Sequence, residues 1–412
     1  MTKLEELIEK LCPNGVEYKI LGDISCKISD GMHNLPKNIK SSGEYPILSA
    51  QNITNGNINI DTSKWVNHEI FERENKRNNV EKGDVLLTIV GAIGRTAVVK
   101  DNLKALFQRS VCVIKPNVKL LNSKFLYYVL NSTVVQSYIQ NNAKGAAQKG
   151  LYLKQVAKIK LPVPPLEVQR EIVRILDNFT FLTTELAAEL AARQKQYEYF
   201  RDLLLNDCNG TNGKIIDMLV QPITDGPHTT PTLVSSGIPF VSAEAIFDGR
   251  VNFEKKRGFI TEKFHLECCR KYKPQKNDVY LVKSGSTTGK VAYVYTDEEF
   301  NIWSPIAALR TNADNSSRFL FHLLQSNKIQ QQVKSKSSHG SQPNLSMRVL
   351  EQFDVVIPSL EEQNQIANLL DRFDTLCNNI SDGLPAEITM RQKQYEYYRD
   401  KLLTFKELKK EA

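Results

Sequence analysis

Seven cysteines, six histidines and two tryptophans are scattered through 412 residues, and the first two sets form no recognisable ligand or bridge pattern. The cysteines, at 12, 26, 112, 208, 268, 269 and 377, are odd in number and lack framework spacing, so reduced thiols in a cytoplasmic protein are expected. His265, Cys268 and Cys269 come nearest to a metal motif. They have no second ligand pair nearby and no counterpart elsewhere, so no metal site is expected. No apolar run approaches the roughly 20 residues that span a bilayer. The opening MTKLEELIEKL is amphipathic and acidic, unlike a secretory signal.

Catalytic machinery is also missing. The only Pro-Pro, in VPPL at 163–166, lacks the preceding amide or acid and the following aromatic of an amino-methyltransferase tetrad. SGSTTGKV (284–291) departs from GxxxxGK[ST] by one residue, with Val291 where a magnesium-binding hydroxyl belongs. Its counterpart GAIGRT has no lysine at all. Ser, His and Asp residues fall in no triad order. No catalytic residue is expected.

What is present is positive charge, in two blocks. Residues 17–160 hold 21 Lys+Arg against 11 Asp+Glu, and 214–355 hold 18 against 14. The segments 161–213 and 356–412 are mildly acidic. A basic block points to a polyanion, with nucleic acid the commonest; the weaker second excess is also compatible with ordinary surface charge.

The chain repeats itself. RQKQYEYFRDLLL (193–205) and RQKQYEYYRDKLL (391–403) agree at 11 of 13 positions. ISDGMHNLPK matches ITDGPHTTPT at an offset of 195, and PILSAQNITNG matches PFVSAEAIFDG at 193. KGDVLLTIVGAIGR matches KNDVYLVKSGSTTGK, FLYYVL matches FLFHLL, and LPVPPLEVQ matches VVIPSLEEQ, the last two at 194. A period this long means two domain-plus-helix units rather than a solenoid. Each unit opens with short β-rich runs and Gly, Asn and Asp turns, then passes a proline stop into a long helix. The division expected is a helix at 1–16, a first domain at 17–160, a helix at 161–213, a second domain at 214–355 and a second helix with its tail at 356–412.

In the first copy Val168, Ile172, Ile175, Phe179, Leu182, Leu186, Leu190, Tyr197, Phe200 and Leu204 step by three and four, which predicts one apolar face over 166–205. At 1.5 Å per residue that is roughly 60 Å of helix. The second copy follows through Ile366, Leu369, Phe373, Leu376 and Ile380, then carries four extra residues near SDGLPAE. An insertion of four is the size of a stutter, but Gly383 and Pro385 favour a kink or a break. Two similar helices bury their stripes most simply as an antiparallel pair, with the N-terminal helix packing near LTFKELKK. Two basic domains on a rigid spacer suit half-sites on DNA, and their divergence predicts an asymmetric, bipartite target with an unread gap.

The opening CPNGVEYKILGDI (12–24), the paired DGxH and PxxSA segments, the PLExQ motifs and LPAEI followed by RQKQYEYYRDKLL together resemble the specificity subunit of type I restriction-modification systems, over essentially the whole chain. The resemblance implies an α+β fold: two pseudo-symmetric β-rich α/β target recognition domains separated by a pair of long antiparallel coiled-coil helices. It implies that the helices set the spacing and dock two methyltransferase subunits, that separate restriction subunits join, and that S-adenosylmethionine, ATP and magnesium serve those partners.

Duplicated polar loops are the candidate contacts to double-stranded DNA. They comprise Ser29 and His33 with Thr224 and His228, and Ser49, Gln51 and Asn52 with Ser242. The glycine loops add Arg95, Lys283, Ser284 and Lys290, with Arg109 nearby; Gln148, Lys149 and Gln342 sit in the later loops. Turn formation is the competing reading for Asp30, Gly31, Asp225 and Gly226, and capping of the return to the helix for Gln148 and Gln342. Candidate partner contacts are Gln169, Gln194, Lys195, Gln196 and Glu198, with Gln363, Gln392, Lys393, Gln394 and Glu396. Two other functions remain open on sequence: an assembly protein whose domains bind RNA or protein, and a nucleotide hydrolase using 284–291.

Overall fold

The computed structural model describes residues 2–36, 39–54, 56–61, 63–76, 79–101, 103–145, 149–338, 342–378 and 383–408. The chain divides into two compact units, residues 1–185 with 389–412 and residues 186–388.

In the first unit α1 (Lys3–Leu11) starts at a capping box, in which Thr2 and Glu5 satisfy each other's backbone donors. Strands Ser25–Asp30, Val111–Pro116, Val85–Thr88 and Thr96–Val98 form an antiparallel sheet in that spatial order. Val85–Thr88 is buried on both faces, which is why VLLT shows no apolar–polar alternation. A smaller sheet of Lys64–Val66, Tyr45–Leu48 and Leu106–Phe107 lies under α2 (His68–Asn75). Then come α3 (Ser123–Leu130), α4 (Thr133–Asn142) and α5 (Leu153–Ala157). Asn122 and Ser132 cap α3 and α4 through their side-chain oxygens.

The long α6 (Leu166–Asn206) covers 41 residues, one more than the periodicity predicts. Its first turns bring Val168, Ile172 and Leu176 into a core with Phe125, Leu126 and Leu21. Leu403 and Tyr395 join this core from the far end of the chain, and Phe179 stacks on Tyr398 at 5.6 Å. The termini meet here as expected: Val16 donates to Lys406 O at 2.8 Å and accepts from Leu408 N at 2.9 Å.

The second unit repeats the plan. Strands Thr224–Asp225, Ile306–Leu309, Val279–Val282, Val291–Tyr293, Gly249–Val251 and Ile246–Phe247 form one sheet. A three-stranded sheet of Gly258–Ile260, Ile238–Val241 and Asn301–Ile302 lies beside α7 (Glu262–Cys269). After these come α8 (Ser317–Gln325), α9 (Asn327–Lys336), α10 (Met347–Glu351) and α11 (Leu360–Asn378). Tyr197 and Leu205, from the C-terminal half of α6, enter the core of Phe319, Phe321, Ile366 and Leu370. Arg193 acts on Cys377, Asp374 on Tyr197, and Phe200 stacks on Phe373 at 5.9 Å. Rising numbers on α6 thus meet falling numbers on α11, an antiparallel contact.

Two stripe assignments need correction. Leu182 is half exposed, so the α6 stripe is covered towards its ends rather than along its whole length. On α11 the buried face is Ile366, Ala367, Leu370 and Cys377, with Phe373 partly buried against the same core, while Leu369 and Leu376 are exposed. The small Ala367 and Cys377 fit the contact, which turns the helix by about one residue from the face the larger side chains suggest. Ile380 lies outside the described residues. The second spacer helix is in two pieces: α11 ends at Asn378 and α12 (Leu384–Leu402) begins beyond 379–382, which are also outside them.

Each unit therefore combines the recognition domain and leading helix of one copy with the RQKQYEY helix of the other.

Candidate nucleic-acid interface

The paired DGxH segments follow one design. A methyl group added at Gly31 would lie 2.0 Å from Phe107 O, and one at Gly226 would lie 1.8 Å from Ile302 O. Only glycine fits where the neighbouring strand passes so closely. The preceding carboxylate lies beside the histidine: Asp30 Oδ2 is 3.2 Å from His33 Nε2, and Asp225 Oδ2 is 3.3 Å from His228 Nε2. Asp and Gly shape the turn, while His33 and His228 stand outside it, 67% and 71% exposed. Ser29 and Thr224 are half-buried in the strands before these turns. In the first unit Lys27, Ser29, His33, Asn67 and Arg73 line one groove of about 940 Å³, with Arg109 exposed beside it through its N–H to Met32 O at 2.9 Å.

The other loops separate into exposed and structural members. Arg95 is exposed and reaches Ile53 O at 3.4 Å; Lys290 is exposed, with its ammonium 5.6 Å from the Phe247 ring. Gln51, Lys149 and Gln342 are exposed and Ser284 is half-buried. Gln148 lies outside the described residues.

Asn52 is a correction. It is 3% exposed, accepts from Ser49 N at 2.8 Å and donates to Asn59 O at 2.9 Å. Ser49 accepts from Gln51 N, so Ser49 and Asn52 close a one-turn helix rather than face a ligand. Ser242, at the same place in the second unit, is buried too. Lys283 is largely buried against Asp225, at 3.3 Å.

The partner candidates also divide. Gln194, Lys195, Gln196 and Glu198 are exposed on α6, as are Gln392, Lys393, Gln394 and Glu396 on α12. Gln169 and Gln363 are not surface residues. Each is 0% exposed. Gln169 accepts from Asn122 N and donates to Leu120 O and Pro164 O at 2.7–2.8 Å. Gln363 accepts from Ser316 N and donates to Asn315 Oδ1 and Pro358 O at 2.8–2.9 Å. Backbone groups between strand and helix need internal partners, and the glutamine of PLExQ supplies them.

Sequence reasoning missed two sets of residues. Tyr199 and Tyr397, the second tyrosine of RQKQYEY in each copy, are 64% and 61% exposed. Asp202 and Asp400 tie the repeated helices to the domains: Asp202 accepts from Asn327 N at 2.9 Å and Asp400 from Thr133 N at 3.1 Å, at the first residues of α9 and α4. Their identical place in both copies was the available signal.

A polar joint completes each unit. In the first, Tyr128 OH donates to Asp177 at 2.7 Å, and Lys124 pairs with the same carboxylate. In the second, His322 stands where Tyr128 does, 2.7 Å from Asp371 Oδ1 through Nε2 and 3.1 Å from Tyr197 OH through Nδ1. Burial holds the His322 imidazole below its ordinary pKa, although its bond to Asp371 pulls the other way. Burial would raise Asp371, but hydrogen bonds from His322 and Arg318 outweigh it and hold the carboxyl low.

Among the described residues no group of three or more His, Cys, Asp or Glu side chains could hold a metal ion, and no helix is long and apolar enough to cross a membrane.

Residues 13–193 and 228–390 match the family model described as type I restriction modification DNA specificity domain. The specificity subunit of the Escherichia coli type I restriction enzymes EcoR124I and EcoR124II is 32% identical over 296 residues, 68% of this chain and 70% of that one. A Haemophilus influenzae chain named for the same role is 29% identical over 98% of both. Among solved structures, one from work on assembly and conformational transition of a type I system superposes with a TM-score of 0.63 at 16% identity, covering 95% of this chain and 98% of that one. The specificity subunit from M. genitalium superposes at 0.52 and 15%, covering 94% and 96%.

Proposed function

Because this chain belongs to the family of type I restriction-modification DNA specificity subunits, we propose that its two recognition domains, 17–160 and 214–355, each read one half of an asymmetric bipartite DNA site. As a specificity subunit it supplies the DNA sequence specificity of the complex. In this reading it is non-catalytic and cytoplasmic. Two methyltransferase subunits dock on the duplicated faces around Gln194–Glu198 and Gln392–Glu396, with Tyr199 and Tyr397 exposed on them. Restriction subunits join that complex, and S-adenosylmethionine, ATP and magnesium are used by the partners.

One observation carries the reading: residues that build the turns and helix caps repeat between the copies, while several exposed loop residues differ. Gly31 with Gly226, Gln169 with Gln363 and Asp202 with Asp400 hold the same backbone places in both units. Between them, exposed loop positions such as Arg95 with Lys290 and Gln51 with Glu244 differ, as two different half-sites require, while the histidine of DGxH is common to both. His33 and His228, Arg95 and Lys290, and Gln51, Arg109, Lys149 and Gln342 remain the candidates for DNA contact.

The test is a footprint of the chain assembled with its methyltransferase partner. Two protected segments separated by an accessible gap are expected. One continuous footprint, or equal affinity for random duplex, rules the reading out. Preference for structured RNA over duplex in competition would favour the assembly-protein alternative instead.

A further inference from the structure

Asp225 lies under a cup of two lysines and a histidine that the DGxH motif alone does not explain. Its carboxylate has no exposed surface, yet Lys271, Lys283 and His228 all converge on it. Lys271, in the turn after α7, hydrogen-bonds Oδ1. Lys283, at the end of strand Val279–Val282, and His228 each place a nitrogen 3.3 Å from Oδ2. Exposure rises outward, from 12% for the Lys283 side chain to 50% for Lys271 and 71% for His228. The carboxylate is thus the floor of the cup, and Lys271 and His228 form its rim.

Two lysines against one carboxylate leave positive charge uncompensated. The floor is fixed, because Lys283 N donates to Pro305 O at 2.8 Å and Lys283 O accepts from Leu345 N at 2.7 Å. Ser304 N reaches Pro227 O at 3.3 Å, and the adjoining Trp303 carries the Arg257 guanidinium 4.0 Å above its ring. In the first unit the place of Lys283 is taken by Ile89, which is buried in the apolar core. The full cup belongs to the second domain.

The chemistry of the ligand follows from donor counting. An ammonium has three N–H donors. Lys271 gives one to Asp225 and one to Gly226 O at 3.4 Å, leaving one. A single remaining donor cannot make the bidentate contact by which a basic side chain reads guanine O6 and N7. It suits a single anionic oxygen, and a lysine acts on phosphate as a point charge. We propose that Asp225 is the positioning residue of a phosphate clamp, in which Lys271 grips one backbone phosphate of the DNA bound by the second domain, with His228 flanking it on the rim. This rests on the DNA-binding reading above.

The experiment measures affinity of the assembled complex for duplexes with and without its recognition site, as a function of salt. Removing one phosphate contact makes the log K against log salt slope shallower by about 0.9. Lys271→Ala is expected to produce that change and to weaken all duplexes alike, while Lys271→Arg restores the slope. Asp225→Asn is expected to produce it too, although both lysines remain, which a surface charge acting alone would not. Lys276→Ala, which removes an exposed lysine paired with Asp297 at 2.9 Å, should leave the slope unchanged. An unchanged slope in Lys271→Ala, or a loss confined to one base pair, overturns the clamp. Absence of salt-dependent, sequence-specific binding in the wild-type complex overturns the DNA reading itself. Lys271 is half exposed, so its variants remain informative even where Asp225→Asn unfolds.

Discussion

At Gln363 a single buried amide closes three hydrogen bonds between a loop, a strand end and a helix. Truncation to alanine strands the Ser316 N–H and two carbonyl oxygens. Gln363→Ala should therefore cost about 2–4 kcal/mol in a urea titration, against less than 1 for exposed Gln194→Ala. His322 makes stability pH-dependent in one unit. Its folded pKa lies below the ordinary 6.5, so the unfolded chain binds the proton first. The neutral form's contribution is complete above about pH 6.5 and is lost as pH falls towards the folded value, at no more than about 1.4 kcal/mol per pH unit. Asp371 adds its own loss only lower, as pH drops below the ordinary 3.8. His322→Gln should flatten unfolding midpoints between pH 7 and 5.5. Trp65→Phe as background leaves Trp303 to report on the second unit. The histidine and its aspartate are 49 residues apart, and the sequence showed them only as unrelated polar positions in two helices. Gln363 and Asn52 looked like surface residues for the same reason: composition does not reveal which backbone groups need an internal partner.

The repeated helices explain themselves at the scale of the element. RQKQYEY packs its first tyrosine into a domain core and exposes its second, and the aspartate three residues after it bonds the start of a domain helix. Its presence twice was legible in the sequence, as was the apolar stripe of α6. The domain that each copy serves was not legible, because the periodicity of a helix does not name its partner. Asp400→Ala should free the Thr133 N–H and destabilise the start of α4 by about 1 kcal/mol. Hydrogen exchange at residues 133–135 should quicken while residues 327–329, at the start of α9, stay protected by Asp202. Equal quickening at both helices would contradict the assignment of one cap to each unit. The rotated face of α11 has a similar origin: Ala367 and Cys377 are weak hydrophobic signals but small enough to sit in a close helix contact.

For the whole molecule, duplication supplies two units with the same turns, helix caps and exposed RQKQYEY face but different recognition loops. The DGxH turns show the division of labour: Gly31 and Gly226 are fixed by sterics, whereas Lys283 and Ile89 differ at one place. Bipartite organisation was readable from the offsets near 194, but the clamp around Asp225 was not, since Lys271 lies 46 residues from its carboxylate. The two domains are proposed to read two different half-sites at a separation set by the helices. Base-resolution mapping of adenine and cytosine methylation in cells carrying this chain with its methyltransferase partner tests that most directly. One motif with two dissimilar half-sites, an unspecified gap of constant length and no dependence on the gap's sequence is expected. A single uninterrupted motif, or two half-sites methylated at random separations, would contradict it.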